Sequence, residues 1–308
     1  MDIKDRFKLL ATGFVANSPA PIYNGARVIQ NLCDSRKINK AVRHGIPLVL
    51  IYQYGRVAST SVYASVLAAN LDMPVYHVHT LSLARATKWI EKAKQNGRRI
   101  DRNFVLGRTL GEVISGFGEG PYPNPWKIIC IFREPISVML SLHFLNPKGT
   151  FAQVLEKHGE KDRNQVVDYF QTLFDRDDPS GWLLSRWFDD VFQEETGINV
   201  YEHRFDVDQG YQIIKDDRFE VLLLRFEDLS KGFKQGAAEF FGLEADRFNL
   251  IHSHIHKNDK YNEIHEYVKN NLKLSVETLR KIYSTDFVRH FYSHELIERL
   301  TEKWSSAS

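Results

Sequence analysis

Apolar residues in this chain fall into short continuous runs separated by longer stretches with helical spacing. The run Ile46 to Tyr52 reads as a strand, and Val62, Val66, Leu67 and Leu71 predict a helix over about 60–71. Met73-Pro74 restarts an extended segment, Val75 to Val78. Leu83, Ala86, Trp89 and Ile90 then predict an amphipathic helix over 82–96, those four inward and Lys88, Lys92 and Lys94 outward. Another helix is expected over 107–116, and the Gly/Pro-rich stretch 116–125 is a loop. The run Trp126 to Phe132 has the near-continuous apolarity of a strand buried on both faces of a parallel sheet. Residues 150–196 read as helical. Tyr211–Ile214 and Phe219–Leu224 read as a hairpin turned at Asp216-Asp217, or as two separate strands. A helix over about 230–241 ends at Gly242, a fit C-cap, and helices over 273–283 and 285–303 close the chain. Strands alternating with helices predict an α/β fold whose central, mainly parallel sheet carries helices on both faces.

Length and charge narrow this picture. The 308 residues suit one large α/β domain: an N-terminal extension over 1–45, a core over 46–243 and a helical segment over 244–308. In the extension, Val28 to Leu32 suggests a short helix, and Arg36, Lys37, Lys40, Arg43 and His44 a solvated basic face. A balance of 41 basic against 39 acidic residues argues against a general nucleic-acid binder. Two cysteines, Cys33 and Cys130, give no disulfide framework. The apolar patch Leu9 to Val15 is too short to span a membrane and has no signal-peptide pattern, so a soluble, cytoplasmic protein is expected.

Candidate chemistry begins at the first strand's exit. Gly55-Arg56-Val57-Ala58-Ser59-Thr60-Ser61 is a small-residue turn opening a helix, the layout of an anion cradle. A nucleotide-hydrolase loop needs Gly-Lys-Ser/Thr here, and none is present. His77 and His79 alternate at the exit of the second strand, facing one side, where open α/β sheets bind ligands. Arg133 follows the third strand, with Ser141 about two helical turns later, a pair able to grip a second phosphate. The alternatives are an ordinary capped turn, structural histidines and an Arg133-Glu134 surface pair. His252, His254 and His256 lack companion ligands of matching spacing, which argues against a metal site.

These motifs together resemble sulfotransferases that use 3′-phosphoadenosine 5′-phosphosulfate. Arg56-Val57-Ala58-Ser59-Thr60-Ser61 resembles that family's 5′-phosphosulfate loop, Lys-Ser-Gly-Thr-Thr. Arg133-Glu134-Pro135 with Ser141 resembles its 3′-phosphate motif, and Leu224-Arg225-Phe226-Glu227-Asp228-Leu229 with Phe240-Phe241-Gly242-Leu243 resembles a later conserved segment. Ser185-Arg186-Trp187-Phe188-Asp189 and Gly197-Ile198-Asn199-Val200-Tyr201 are similar to bacterial capsular polysaccharide synthesis proteins of the NKWYS type, with that motif partly kept. His77-x-His79 is similar to the His-x-His of uronyl 2-O-sulfotransferases.

The resemblance implies a P-loop-like sulfotransferase fold and in-line sulfuryl transfer from the nucleotide to a glycan hydroxyl, with adenosine 3′,5′-bisphosphate as product and no metal required. It implies that Arg56 and the amides of Ser59, Thr60 and Ser61 hold the phosphosulfate, Arg133 and Ser141 the 3′-phosphate, and Phe226 the adenine. Lys257 and Lys260 stand in for a terminal basic loop that the chain lacks. His79, or else His77, would take the acceptor's proton, with Glu112 a distant candidate. Arg186 and Trp187 would meet the sugar, although the spacing of Trp187 with Leu183 and Leu184 also fits a core helix; Trp182 and Trp187 would be the sugar platforms of a non-catalytic glycan-binding protein. The rival classes are a nucleotide-dependent phosphotransferase and a non-catalytic glycan-binding protein of a polysaccharide assembly.

Overall fold

The structure is a computed structural model and describes residues 20–118, 120–145, 147–176, 183–252 and 261–305. The N-terminal patch Leu9 to Val15, Trp182, His254, His256, Lys257 and Lys260 lie outside the described residues. The fold is α/β, with a five-stranded, mostly parallel sheet in the order β2-β1-β3-β5-β4. The strands are β1 (Val49–Tyr52), β2 (Val75–Val78), β3 (Trp126–Phe132), β4 (Tyr211–Lys215) and β5 (Phe219–Arg225). β1 and β3 are buried along nearly their whole length, as continuous apolar runs require. Each fully buried Ile, Val or Leu among them contributes about 1.5–3 kcal/mol of apolar transfer energy.

The chain divides into two compact units. The first comprises Met1–Gln53, Asn70–Ile129 and Lys215–Glu220. Here β1 pairs in parallel with β2, Tyr52 opposite Val78, and with β3, Ile51 opposite Ile129. The carboxyl ends of β1 and β2 therefore lie side by side. α1 (Ala20–Arg43) is far longer than the short helix expected over 28–32. Asp34, Ile38 and Ala41 recur at helical spacing on its buried face, and Arg36, Lys37, Lys40, Arg43 and His44 are exposed. α3 (Leu83–Gln95) is capped by Ser82, which accepts from the Arg85 amide, and buries Ala86 and Ile90. Leu83 and Trp89, expected inward, are 38% and 54% exposed.

α4 (Arg102–Phe117) starts earlier than the sequence reading placed it, because Asp101 caps it by accepting from the Asn103 amide. Its two buried glycines set how close it comes to the segment after β2. A Cβ on Gly107 would stand 2.3 Å from the Thr80 carbonyl oxygen, and one on Gly111 2.7 Å from that of Leu81. Only the absence of a side chain permits this approach.

The second unit comprises Tyr54–Ala69, Cys130–Ile214 and Val221–Ser308. It holds α2 (Ser59–Ala68), α5 (Pro135–Leu145), α6 (Gly149–His158) and α7 (Arg163–Arg176). α8 (Leu183–Trp187) runs on through a π-helical turn, Phe188–Gln193. α9 (Leu229–Phe241), α10 (Asn262–Asn271), α11 (Val276–Tyr283), α12 (Asp286–Phe291) and α13 (His294–Trp304) complete it. α9 ends at Gly242 in the left-handed conformation expected of it. The helix expected over 285–303 is two, because Ser293 starts a new N-cap that accepts from the Leu296 amide.

The β4–β5 segment is a hairpin. The Asp216 amide bonds the Phe219 carbonyl at its turn, and the Arg225 amide bonds the Gly210 carbonyl at its open end, a constant antiparallel register.

Candidate functional site

The second unit gathers three segments widely separated in sequence. The loop into α2 is built on left-handed backbone: Gly55, Arg56 and Ala58 have φ of 94°, 61° and 59°. Two of these are not glycine, and such conformations persist where surrounding structure enforces them. Ala58 is the N-cap of α2 and supplies no capping side chain. Helical geometry gives the first-turn amides no acceptor within the helix, so this end suits an anion. Ser59 and Ser61 are buried, and Thr60 is half-buried.

Arg56 Nε donates to Ser141 Oγ at 2.8 Å, across 85 residues of sequence. Arg133 Nη1 reaches the Arg56 carbonyl at 3.4 Å, and its Cζ lies 4.1 Å from the centroid of the Phe226 ring. Arg133 Nε is buried without a hydrogen-bond partner. Arg56, Ser141, Arg133 and Phe226, from three segments, thus come together in one place. The guanidinium takes one face of Phe226, so only the opposite face of the ring is left for stacking.

Beneath this lies a network that the sequence reading did not foresee. Glu134, which the alternative reading put in a surface pair with Arg133, is 1% exposed. It caps α5, accepting from the Ile136 and Ser137 amides at 2.9 and 2.8 Å, and also from the Tyr283 hydroxyl. Its own amide donates to Glu227 Oε1, and the Tyr292 hydroxyl donates to Glu227 Oε2. Burial, with the neighbouring Glu134 carboxylate adding to it, pushes Glu227 up to about 7. The Tyr54 hydroxyl accepts from the Arg133 amide at 3.0 Å. Burial pushes that phenol up as well.

α10 adds His265, whose ring lies 4.9 Å from Phe144, one helical turn beyond Ser141. Burial lowers its pKa, and Lys269, Arg133 and Arg56 add to that effect. Sequence reading missed this helix, although Ile264 and Val268 carry the i, i+4 apolar signal.

In the first unit, His77 and His79 point to one side with ring centroids 5.1 Å apart. His79 Nδ1 lies 3.2 Å from the Gln53 carbonyl, which can only accept, so this nitrogen carries the hydrogen. Nε2 of the neutral ring is then the acceptor, and Asn103 Nδ2 donates to it at 3.2 Å. His77 Nε2 accepts from Gln53 Nε2 at 2.9 Å. Burial, with His79 and Arg102 adding to it, lowers His77 to about 3. Gln53 is fully buried and its Oε1 has no partner. Glu112 is exposed on α4, 3.8 Å from Arg108.

The aromatic stretch after 182 behaves as core. Trp187 is 2% exposed, packed by Tyr54, Phe188 and Phe192, and offers no face to a sugar. Arg186 is exposed and pairs with Asp190 at 2.9 Å. Among the described residues, no cluster of three or more His, Cys, Asp or Glu is arranged to hold a metal ion, and no helix is long and apolar enough to cross a membrane.

Residues 159–293 match the NKWYS family, described as "Putative capsular polysaccharide synthesis protein". The NKWYS stretch takes in Ser185–Asp189 and Gly197–Tyr201, which carried that resemblance in the sequence. It also includes Phe226, Glu227, His265, Tyr283 and Tyr292, and it leaves out the Arg56 loop, Arg133 with Ser141, and the histidine pair. No curated protein and no solved structure matches the chain.

Proposed function

We propose that this protein is a sulfotransferase of P-loop-like fold. It moves a sulfuryl group from 3′-phosphoadenosine 5′-phosphosulfate to a sugar hydroxyl of a capsular or other surface polysaccharide, or of its precursor. The observation that carries the reading is the convergence of Arg56, Ser141, Arg133 and Phe226 from three separate segments. A nucleotide with phosphate groups at both ends of its ribose fits that set. The buried, unpartnered Arg133 Nε is the kind of orphan donor that a ligand phosphate satisfies.

In the proposed reaction, the acceptor oxygen forms a bond to sulfur as the bond from sulfur to the donor's phosphate oxygen breaks. Negative charge grows on that leaving oxygen. Arg56 and the α2 amides stabilise it, by analogy with phosphoryl transfer. The acceptor's proton goes to His79 Nε2, where the acceptor hydroxyl displaces the Asn103 amide, because the Gln53 carbonyl holds the opposite nitrogen in its hydrogen-bearing form. His77, held neutral by burial, is the poorer partner for a proton. Polysaccharide as acceptor is supported by the family match.

The test is ligand-induced thermal stabilisation of the full chain. Adenosine 3′,5′-bisphosphate should raise Tm clearly, with adenosine 5′-phosphate and ATP plus Mg²⁺ far behind. Equal stabilisation by adenosine 5′-phosphate removes the case for a 3′-phosphate site, and preference for ATP plus Mg²⁺ turns the assignment to phosphotransfer.

A further inference from the structure

Within the second unit, the polar segment 201–208 and the end of α12 wall a cleft of about 890 Å³. That volume falls within the range of small-molecule sites, about 300–1,000 Å³. None of its lining residues belongs to the set formed by Arg56, Ser141, Arg133 and Phe226. One buried side chain ties its two contributing segments together. Arg225, 3% exposed, donates to the Val207 carbonyl and to the Phe291 carbonyl, each at 2.7 Å. The cleft is therefore shaped before any ligand arrives.

Two of the lining side chains keep buried polar atoms without a hydrogen-bond partner, Tyr201 Oη and His290 Nε2, and their rings lie 5.2 Å apart. Leaving such atoms unpaired costs stability, and a ligand that pairs them removes the cost. Burial keeps His290 below the ordinary histidine value, so at neutral pH the ring is uncharged and its nitrogen can donate or accept, according to tautomer. The helix before this segment also slips into the π-helical turn Phe188–Gln193, a form that recurs at functional sites, and the charge of Asp189 on that turn reaches the Tyr201 hydroxyl.

The charges in the lining select the ligand. Arg204 and Arg289 share the cleft with Glu202, Asp206 and Asp208, yet among the described residues neither arginine forms an ion pair. An anion would meet three carboxylates, and a cation two guanidinium groups. A neutral polyhydroxylated molecule avoids both penalties. Carboxylates accept from its hydroxyls, guanidinium groups donate to them, and tyrosine and histidine can do either.

We propose that this cleft holds a neutral oligosaccharide, gripping the glycan through residues that the transfer chemistry does not use. All of its lining falls inside the stretch 159–293 that matches the NKWYS family. The inference rests on the polysaccharide side of the function proposed above and not on its donor; it adds a separate binding site and its charge class.

Binding of the full chain to an array of oligosaccharides tests it, with neutral hexose and N-acetylhexosamine chains beside uronate-bearing and sulfated ones. Neutral chains should bind, and acidic ones markedly less. Isothermal titration then measures the tightest neutral binder. Arg289→Ala and Asp208→Asn lie at exposed positions and should fold like the parent chain, as circular dichroism will register. Each should weaken binding about tenfold. Tyr201→Phe removes a hydroxyl that has no partner, so Tm should hold or rise while affinity falls about fivefold or more. Absence of any neutral binder, equal binding of acidic chains, or unchanged affinity in Arg289→Ala and Tyr201→Phe each overturns the assignment. Stabilisation by adenosine 3′,5′-bisphosphate is read on the same samples. If it persists without glycan binding, the cleft assignment falls and the donor reading stands; if glycan binds but the nucleotide gives no response, the cleft stands and the donor reading falls.

Discussion

Arg133 makes one long bond to the Arg56 carbonyl, leaves Nε buried without a partner, and lies against an aromatic ring. A side chain so poised gains most when an anion completes it. Arg133→Ala should weaken adenosine 3′,5′-bisphosphate binding by about 2–4 kcal/mol in a calorimetric titration. Ser141→Ala, which removes the neutral hydroxyl that orients Arg56, should cost about 0.5–1.5 kcal/mol. His79 is assigned a different task, and its loss should separate from binding. His79→Ala should lower turnover by about 10²–10⁴-fold while nucleotide affinity stays near that of wild type. Turnover within a few-fold of wild type would remove His79 from the mechanism and make His77→Ala the next variant to measure. Arg56, Arg133 and Ser141, which meet here, could be singled out one by one, since each belongs to a motif that follows a strand end. Their coupling could not. Glu134 and Glu227 lie 93 residues apart, and no spacing in the sequence announces that they share a hydrogen bond.

Among the elements, β3 begins and ends where its continuous apolar run does. A strand buried on both faces needs such a run, so its boundaries can be read directly. Helices were harder to bound. α10 packs through two apolar residues, Ile264 and Val268, a stripe too thin to stand out beside its polar neighbours. Trp89 matched the buried face of α3 by spacing and is 54% exposed instead, stacked on Phe104, because periodicity marks a face without fixing how far each residue on it is covered. The α2 loop gives a test at this scale. Ala58 stands where the sulfotransferase pattern has glycine, and it holds a left-handed φ of 59°. Relief of that conformation is worth about 1–2 kcal/mol, offset by about 0.4–1 kcal/mol for glycine's greater freedom when unfolded. Ala58→Gly should therefore raise stability modestly, by about 1 kcal/mol or less in urea unfolding. Clear destabilisation would mean that the alanine methyl contributes packing that outweighs the strain.

For the whole chain, two buried groups set opposing pH dependences. His77, lowered from 6.5 to about 3, binds its proton in the unfolded state first, so between those values stability rises with pH. Glu227, raised from 4.5 to about 7, keeps its proton longer in the folded state, so between those values stability falls as pH rises. These two contributions oppose each other where the windows overlap, leaving His77's rise below about pH 4.5 and Glu227's fall from about pH 6.5 to 7. Urea midpoints measured across pH should lose the acid-side rise in His77→Asn and the near-neutral fall in Glu227→Gln. A profile that neither substitution alters would count against both shifts. Gly107 has a consequence of another kind. Any side chain there meets the Thr80 carbonyl at 2.3 Å and drives α4, with Asn103 and Phe104, away from His79. In a saturation scan this column should reject alanine as firmly as tryptophan and pass for a catalytic position, although glycine exchanges no proton and touches no substrate. Scoring abundance beside activity would unmask it: here both should fall together, whereas at His79 activity alone should fall.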